Sequence, residues 1–269
     1  ADVLPLRKTP SGMKHPLRTL LLAVCCGLAA ACTQRQERLK LMSYNIRNGI
    51  GIDNIQDIGR IARVILREAP DLVALQELDS ATLRVDGRYI PGELGRMTGM
   101  HATFGRAIGF AGGSYGIGLL SRTEPLAVRS IPLPGREEAR VLLMAEFPDY
   151  TVCITHLSLT PEDRLASLPI IREATDTCRK PVLLAGDFNT GNAAAVLAGL
   201  GGGFRILSDT TRMTFPSDNP AVRIDYILGR GLPTSATVAE SAVDHTATAS
   251  DHCPLWVTLV WKRGKQPGK

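Results

Sequence analysis

The chain has 269 residues, 44% of them hydrophobic and 21% charged, which suits a globular protein with one large core or two small ones. Its net charge of +5 sits at the ends, because residues 41–261 carry 20 Arg and Lys against 24 Asp and Glu, a net of −4, and nearly lack lysine. An acidic body argues against a large nucleic-acid groove, which needs a basic footprint to neutralise phosphates.

The elements follow in chain order. From Met13, "MKHPLRTLLLAVCCGLAAAC" has a basic start, an apolar run too short for a comfortable membrane span, and small residues before Cys32, the layout of an export signal. It resembles a bacterial lipoprotein signal. That resemblance implies a signal peptide over residues 1–32 with Met13 as the true start, lipidation of Cys32, and sorting to the outer membrane or the periplasmic or cell-surface side. Ordinary cleavage near Ala31 is the alternative. Residues 33–38 form a polar tether. Outside the signal, Cys153, Cys178 and Cys253 allow at most one bridge and have no zinc spacing, so they are expected as small buried hydrophobes.

Residues 39–46 read as a strand. Ile55, Ile58, Ile61, Ala62, Ile65 and Leu66 then form a helical stripe, with Asp53 as the expected N-cap and Pro70 as the stop. Residues 71–78, "DLVALQEL", are continuous in apolar residues, as buried strands are. Strand-like runs recur at "YGIGLLS", "ARVLLMAEF", "YTVCITHLSL", "PVLLAGDF", "VRIDYIL" and "PLWVTLVW". Helices are expected over 161–176, interrupted by Pro169, and over the alanine-rich 191–199. Many strands, few helices and no linker predict one α/β or α+β domain over 39–261 built on more than one sheet, followed by a basic tail over 262–269.

The polar residues fall at strand ends, where scaffolds place functional groups: Asn45, Glu77, His156, Asp187 with Asn189, Asp225, and Asp251 with His252. Singly, each has an ordinary reading as a turn residue, an edge charge or a satisfied core histidine. Together they are improbable as decoration, because half-buried acids are costly unless paired or metal-bound. A hard cation held by carboxylates and amides resolves that cost.

"MSYNIRNG", "ALQELD", "ITHL", "LAGDFN", "RIDYI" and "SDHCP" resemble, in this order, the endonuclease/exonuclease/phosphatase superfamily, in particular its stand-alone bacterial metal-dependent hydrolases. The resemblance implies a DNase I-like four-layer α/β/β/α sandwich, two mixed β-sheets flanked by helices. It further implies Mg²⁺, with Mn²⁺ as a substitute, on Glu77, Asn45 and Asp251, and water activated by Asp187. Asn189 holds the phosphate, and Asp225 orients His252, which serves as base or as charge stabiliser. His156 at a "TH" strand end is unlike exonuclease III-type enzymes, and Tyr115, Arg140 and Arg223 are the implied phosphate contacts. Of the arginines, surface solvation is the alternative.

Two rival patterns fail. "GGSYG" around Ser114 matches a nucleophile elbow, with Asp225 and His252 in hydrolase order, but the strand follows the serine instead of preceding it. No Gly-Lys-Ser/Thr follows the glycine run, so it is no phosphate-binding loop of that kind. The expected function is metal-dependent hydrolysis of a phosphodiester or phosphomonoester by in-line attack of water. A small phosphoester or phospholipid headgroup ranks first, and a secreted nuclease second. A non-catalytic, lipid-anchored surface binding domain ranks third. The expected partners are the phosphoester and the membrane that takes the anchor, and a monomer is expected.

Overall fold

Each apolar run in the body forms a strand, and pairing those strands buries their faces in two sheets. The computed structural model describes residues 1–2 and 36–262, so residues 3–32 of the expected signal segment with Cys32, residues 33–35 of the tether and residues 263–269 of the tail lie outside the described residues. In chain order the elements are β1 (Gln36–Asn45), α1 (Ile58–Glu68), β2 (Leu72–Ser80), α2 (Ile90–Thr98), β3 (His101–Phe110), β4 (Gly113–Ser121), β5 (Ala127–Leu133) and β6 (Arg140–Glu146). They continue with β7 (Thr151–His156), α3 (Pro161–Asp176), β8 (Val182–Asp187), α4 (Ala193–Leu200), β9 (Arg205–Ile206), β10 (Asp225–Arg230), β11 (Thr237–Val243) and β12 (Leu255–Lys262).

The first sheet runs β11-β12-β1-β2-β4-β3 and the second β5-β6-β7-β8-β10-β9. Each contains one parallel pair, β1–β2 or β7–β8, and every other pairing is antiparallel. A parallel pair needs a crossover, and α1 and α3 supply the two. The sheets thus repeat one strand plan, although no repeat is visible in the sequence. Side chains alternate between faces, so each inner strand feeds two cores. Leu41, Ala74, Leu119, Leu143, Ile154 and Leu183 meet between the sheets. Met42, Tyr44, Val73 and Leu75 pack against Ile58, Ile61, Ile90 and Leu94 of α1 and α2. Met144, Cys153 and Leu184 pack against Leu168, Ile171, Val196 and Leu200 of α3 and α4. Each fully buried Leu or Ile contributes about 1.5–3 kcal/mol. The predicted four-layer α/β/β/α sandwich is the fold.

Local boundaries correct the sequence reading. The first strand starts at Gln36, inside the expected tether, because residues 36–38 pair with β12 through Lys262. Asp57, not Asp53, caps α1 by accepting from the Arg60 amide, while Asp53 closes a turn onto the Ile55 amide and pairs with Arg60. Ile55 and Leu66 are accordingly exposed and lie off the buried stripe. Pro169 does not interrupt α3, since it and Leu165, whose carbonyl loses its partner, both face solvent. Cys153 and Cys253 are buried, Cys178 is half-buried, and all three are free thiols.

Candidate active site

The strand plan decides where the polar ends meet. In parallel pairs, ligands gather at the carboxyl ends of strands. Here β1 and β2 deliver Asn45 and Glu77, and β7 and β8 deliver His156 and Asp187, from the two sheets to one place. Asn45 and Asp187 are 142 positions apart in sequence, yet Asn45 Nδ2 donates to Asp187 Oδ2 at 3.1 Å and to Glu77 Oε1 at 3.0 Å.

Local sequence aims each group. On β2 the register slips between Leu75 and Leu78, a bulge that places Glu77 at φ 56° and turns it out beside Asn45. On β8, Gly186 allows the backbone of β7 to approach, because a Cβ there would lie 2.0 Å from the Thr155 carbonyl oxygen. Asp187 then closes an Asx-turn, Oδ1 accepting from the Asn189 amide at 2.8 Å, with Asn189 left-handed at φ 51°. Phe188 points the other way, fully buried and edge-on to Tyr226 at 5.5 Å. Asn189 Nδ2 donates to the Leu157 carbonyl at 2.8 Å, so one amide hydrogen braces the strand ends and the other is left for a ligand.

Asp225 opposes Asp187 directly on β10, and its Oδ2 stands 3.0 Å from His252 Nδ1. His252 Nε2 lies 3.8 Å from Asp187 Oδ2, and the Phe215 ring packs on the imidazole. Asp187, Asp225 and His252 are all buried and bring ligand atoms within 4.8 Å of one another. Burial and the neighbouring Asp225 push the Asp187 carboxyl up to about 7. Burial opposes the charge on His252, but Asp225, Asp187 and Asp251 outweigh it and push the imidazole up to about 10. His156 goes the other way: burial and the cations Arg140 and His252 hold it well below the usual range. Arg140 Nη1, which can only donate, stands 3.3 Å from His156 Nδ1, so the proton of the neutral ring sits on Nε2, 3.5 Å from Asp187 Oδ2.

The donors at the other half are oxygens. Burial and Asp251 raise Glu77 above the usual carboxylate range, a cost that a cation would remove. Asn45 Oδ1 accepts from the Arg47 amide at 3.1 Å and keeps a second lone pair. Asp251 is half-buried and pairs with Arg47 at 3.4 Å. This carboxylate–amide–carboxylate set fits a hard divalent cation. The Asp187–Asp225–His252 trio fits one less well, because the charged imidazole already answers its carboxylates.

Of the three expected phosphate contacts, the structure brings two to the rim. Tyr115 and Arg140 line a crevice with His156 and Glu138, and burial and Glu77 keep the Tyr115 hydroxyl protonated. Arg140 is buried rather than a solvated surface residue; its guanidinium donates to Glu138 and Glu137, while its Nε has no partner. Arg223 is buried too, but its guanidinium lies over the Tyr226 ring and donates to the Asp209 carbonyl. Ser114 sits within β4, paired with Ser80 and Gly109, with no strand-to-helix elbow. Sequence reading missed Arg47, Glu137, Glu138, Phe215 and Ser250, whose hydroxyl donates to the Asn45 carbonyl at 2.7 Å. Only "REEAR" around the two glutamates carried a signal, as a charge run before a strand.

The family model described as Endonuclease/Exonuclease/phosphatase family matches residues 42–252. No curated protein matches the chain. Among solved structures, an endonuclease/exonuclease/phosphatase from Beutenbergia cavernae is 24% identical over 84% of this chain and 72% of that one, with a TM-score of 0.66. A mannosyl-6-phosphatase from Bacteroides thetaiotaomicron is 20% identical over 83% of this chain and 100% of that one, TM-score 0.66. D. rerio TDP2 complexed with single-strand DNA product is 22% identical over 83% and 99%, TM-score 0.63.

Proposed function

Because the chain belongs to the endonuclease/exonuclease/phosphatase family, we propose that it is an Mg²⁺-dependent hydrolase of phosphoric esters, with Mn²⁺ as a substitute. The family acts on phosphoester bonds. One observation carries the reading for this chain. Asp187 Oδ2 lies 3.8 Å from His252 Nε2, while Asp225 Oδ2 holds the other ring nitrogen at 3.0 Å, so a buried carboxylate and an oriented imidazole face one point. Burial raises the proton affinity of Asp187, which makes it a better base for water. An imidazolium beside it is a competent acid and charge stabiliser.

In this mechanism Asp187 takes the proton of the attacking water. His252, held cationic by Asp225, stabilises the developing phosphate charge and protonates the leaving oxygen. Asp187 afterwards returns its proton to His252. His156 donates Nε2–H to a non-bridging oxygen, and Asn189 contributes its free amide hydrogen. Arg140 and Tyr115 supply positive potential and a hydroxyl donor at the rim. Arg223 has no part in this scheme, because its guanidinium is committed to Tyr226 and Asp209. Asn45, Glu77 and Asp251 would hold the divalent cation. When bound, it neutralises phosphate charge in a site where each added charge matters.

The acidic body favours a small phosphoester or phospholipid headgroup over a long polynucleotide, and the sugar-phosphatase neighbour is compatible with that order. The reading includes export, a lipid anchor at Cys32 and a monomer, supported for the first two by the layout of residues 13–32. The test is turnover of a panel of phosphomonoesters, phosphodiesters, phospholipids and DNA with Mg²⁺ or Mn²⁺, and again in EDTA. Metal-dependent turnover of a small ester is expected, and DNA as the favoured substrate would move the chain to the nuclease reading. Turnover that survives EDTA but falls to a serine-directed reagent would revive Ser114, and no turnover at all would sink the proposal.

A further inference from the structure

Beside the cluster, the chain leaves β7 through Leu157 and β8 through Asn189, and the two exits frame a recess of about 200 Å³ between the first turns of α3 and α4. Leu157, Leu168 and Val196 form its buried base, Ala195 is a half-buried wall, and Leu165 stands 56% exposed at the mouth. The recess lies beside the strand exits that carry His156, Asp187 and Asn189, through lining residues that neighbour them in the chain. The Leu157 amide donates to the Asp187 carbonyl at 2.9 Å, its carbonyl accepts from Asn189 Nδ2, and Thr190 of the rim directly follows Asn189.

Some of the hydrogen-bonding capacity of the rim is spent on the protein itself, and the rest of the Arg164 guanidinium, the Asn192 amide hydrogens and the Thr190 hydroxyl hydrogen stay at the rim. Arg164 Nη1 donates to the Ser158 and Leu159 carbonyls, Asn192 Oδ1 accepts from the Ala195 amide, and Thr190 Oγ1 accepts from the Asn192 amide. The base and walls below that rim, Leu157, Pro161, Leu165, Leu168, Ala195 and Val196, are apolar. A pocket with an apolar base and few polar groups selects first by size and apolarity. We propose that the recess receives the organic substituent of the phosphoester, so that the preferred substrate carries an apolar or aromatic group close to the ester oxygen. This rests on the phosphoesterase reading above for the word substrate, and on the recess alone for the preference.

The test measures binding apart from turnover. Phenylphosphonate and methylphosphonate are titrated, with Mg²⁺ present, into the wild-type chain and into Ala195→Trp, whose indole fills the recess. Leu165→Gln, at the exposed mouth, is the second variant in case the first does not fold. The phenyl compound is expected to bind the wild type about tenfold or more tighter than the methyl compound. In Ala195→Trp that preference should vanish, with methylphosphonate affinity unchanged, and Leu165→Gln should reduce it. A missing preference in the wild type, or one that survives in the folded variants, overturns the proposal. Phenyl phosphate and methyl phosphate turnover, measured alongside, separates the two readings. If neither ester is hydrolysed while the binding preference appears and is lost as expected, the reaction fails and the recess stands. If both are hydrolysed and the preference survives Ala195→Trp, the reaction stands and the recess fails.

Discussion

Gly186→Ala isolates the link between sheet packing and the cluster. Gly186 lies on β8 between β7 and β10, paired with Thr155 on one side and Tyr226 on the other, so neither neighbour can swing outward. The new Cβ would stand 2.0 Å from the Thr155 carbonyl oxygen and 2.9 Å from its carbonyl carbon, both backbone atoms. A tolerable carbon–oxygen contact is about 3.3 Å, so the strands must part by about 1 Å. That stretches the ladder bonds around Thr155 past useful range, at about 1 kcal/mol each, on top of about 1–3 kcal/mol for overpacking. A loss of about 2–4 kcal/mol corresponds to a fall of about 5–15 °C in thermal midpoint for a domain of this size. The next residues on the two strands are His156 and Asp187, whose side chains are 3.5 Å apart, so the variant should lose turnover even below its melting range. The assays are thermal unfolding by circular dichroism and the phosphoester panel. A midpoint within about 2 °C of wild type, with turnover intact, would refute the reasoning.

Other outcomes test the electrostatics. His252 binds its proton more tightly when folded, with a value near 10 against 6.5, so it contributes stability that is complete below about pH 6.5 and is lost as pH rises through about 10. His252→Gln should flatten the wild-type decline in thermal midpoint over that window, and parallel curves would rule the linkage out. Glu137 behaves oppositely. Although burial raises its affinity for a proton, donation from Ser158, Leu159 and Thr160 outweighs this and holds the carboxyl down to about 2. Its stabilisation is present above about pH 4.5 and disappears as pH falls through about 2, so Glu137→Gln should be less stable at neutral pH and show a shallower acid slope in denaturant titrations. Asp187→Asn should keep the wild-type melting point within a few degrees while kcat drops by about two orders of magnitude or more, measured on the best ester of the panel; near-normal kcat would remove Asp187 as the base.

Much of the site was legible before any coordinates. The six motifs named Asn45, Glu77, His156, Asp187, Asn189, Asp225, Asp251 and His252, and the structure gathers them around one point. Arg47 and Phe215 were not legible, because their partners Asp251 and His252 meet them only through the fold. By contrast, the glutamates that hold Arg140 lie two and three residues from it and read only as a charge run. Arg223 looked equivalent to Arg140 as an arginine near a strand end. Both are buried, and what separates them is their partners, which for Arg223 are the Tyr226 ring and the Asp209 carbonyl.

The fold divides in the same way, and the dividing line is burial. Eight strands were readable from the sequence, β1, β2, β4, β6, β7, β8, β10 and β12, and these are the inner strands of the two sheets. The four that were not, β3, β5, β9 and β11, are the edges. An inner strand buries both faces and has to be apolar along its length, whereas an edge strand borrows its hydrogen bonds from a neighbour and leaves much of its surface wet. Thus β5 and β11 are mostly exposed and β3 carries two glycines, patterns that read as loop. Sequence by itself determined the chemistry at the strand ends and the cores that hold them. Tertiary structure alone decided that two sheets with the same plan would turn those ends toward each other. It thereby set the distances that give Asp187 and His252 their separate proton affinities, because those affinities arise from burial and neighbouring charge rather than from residue identity.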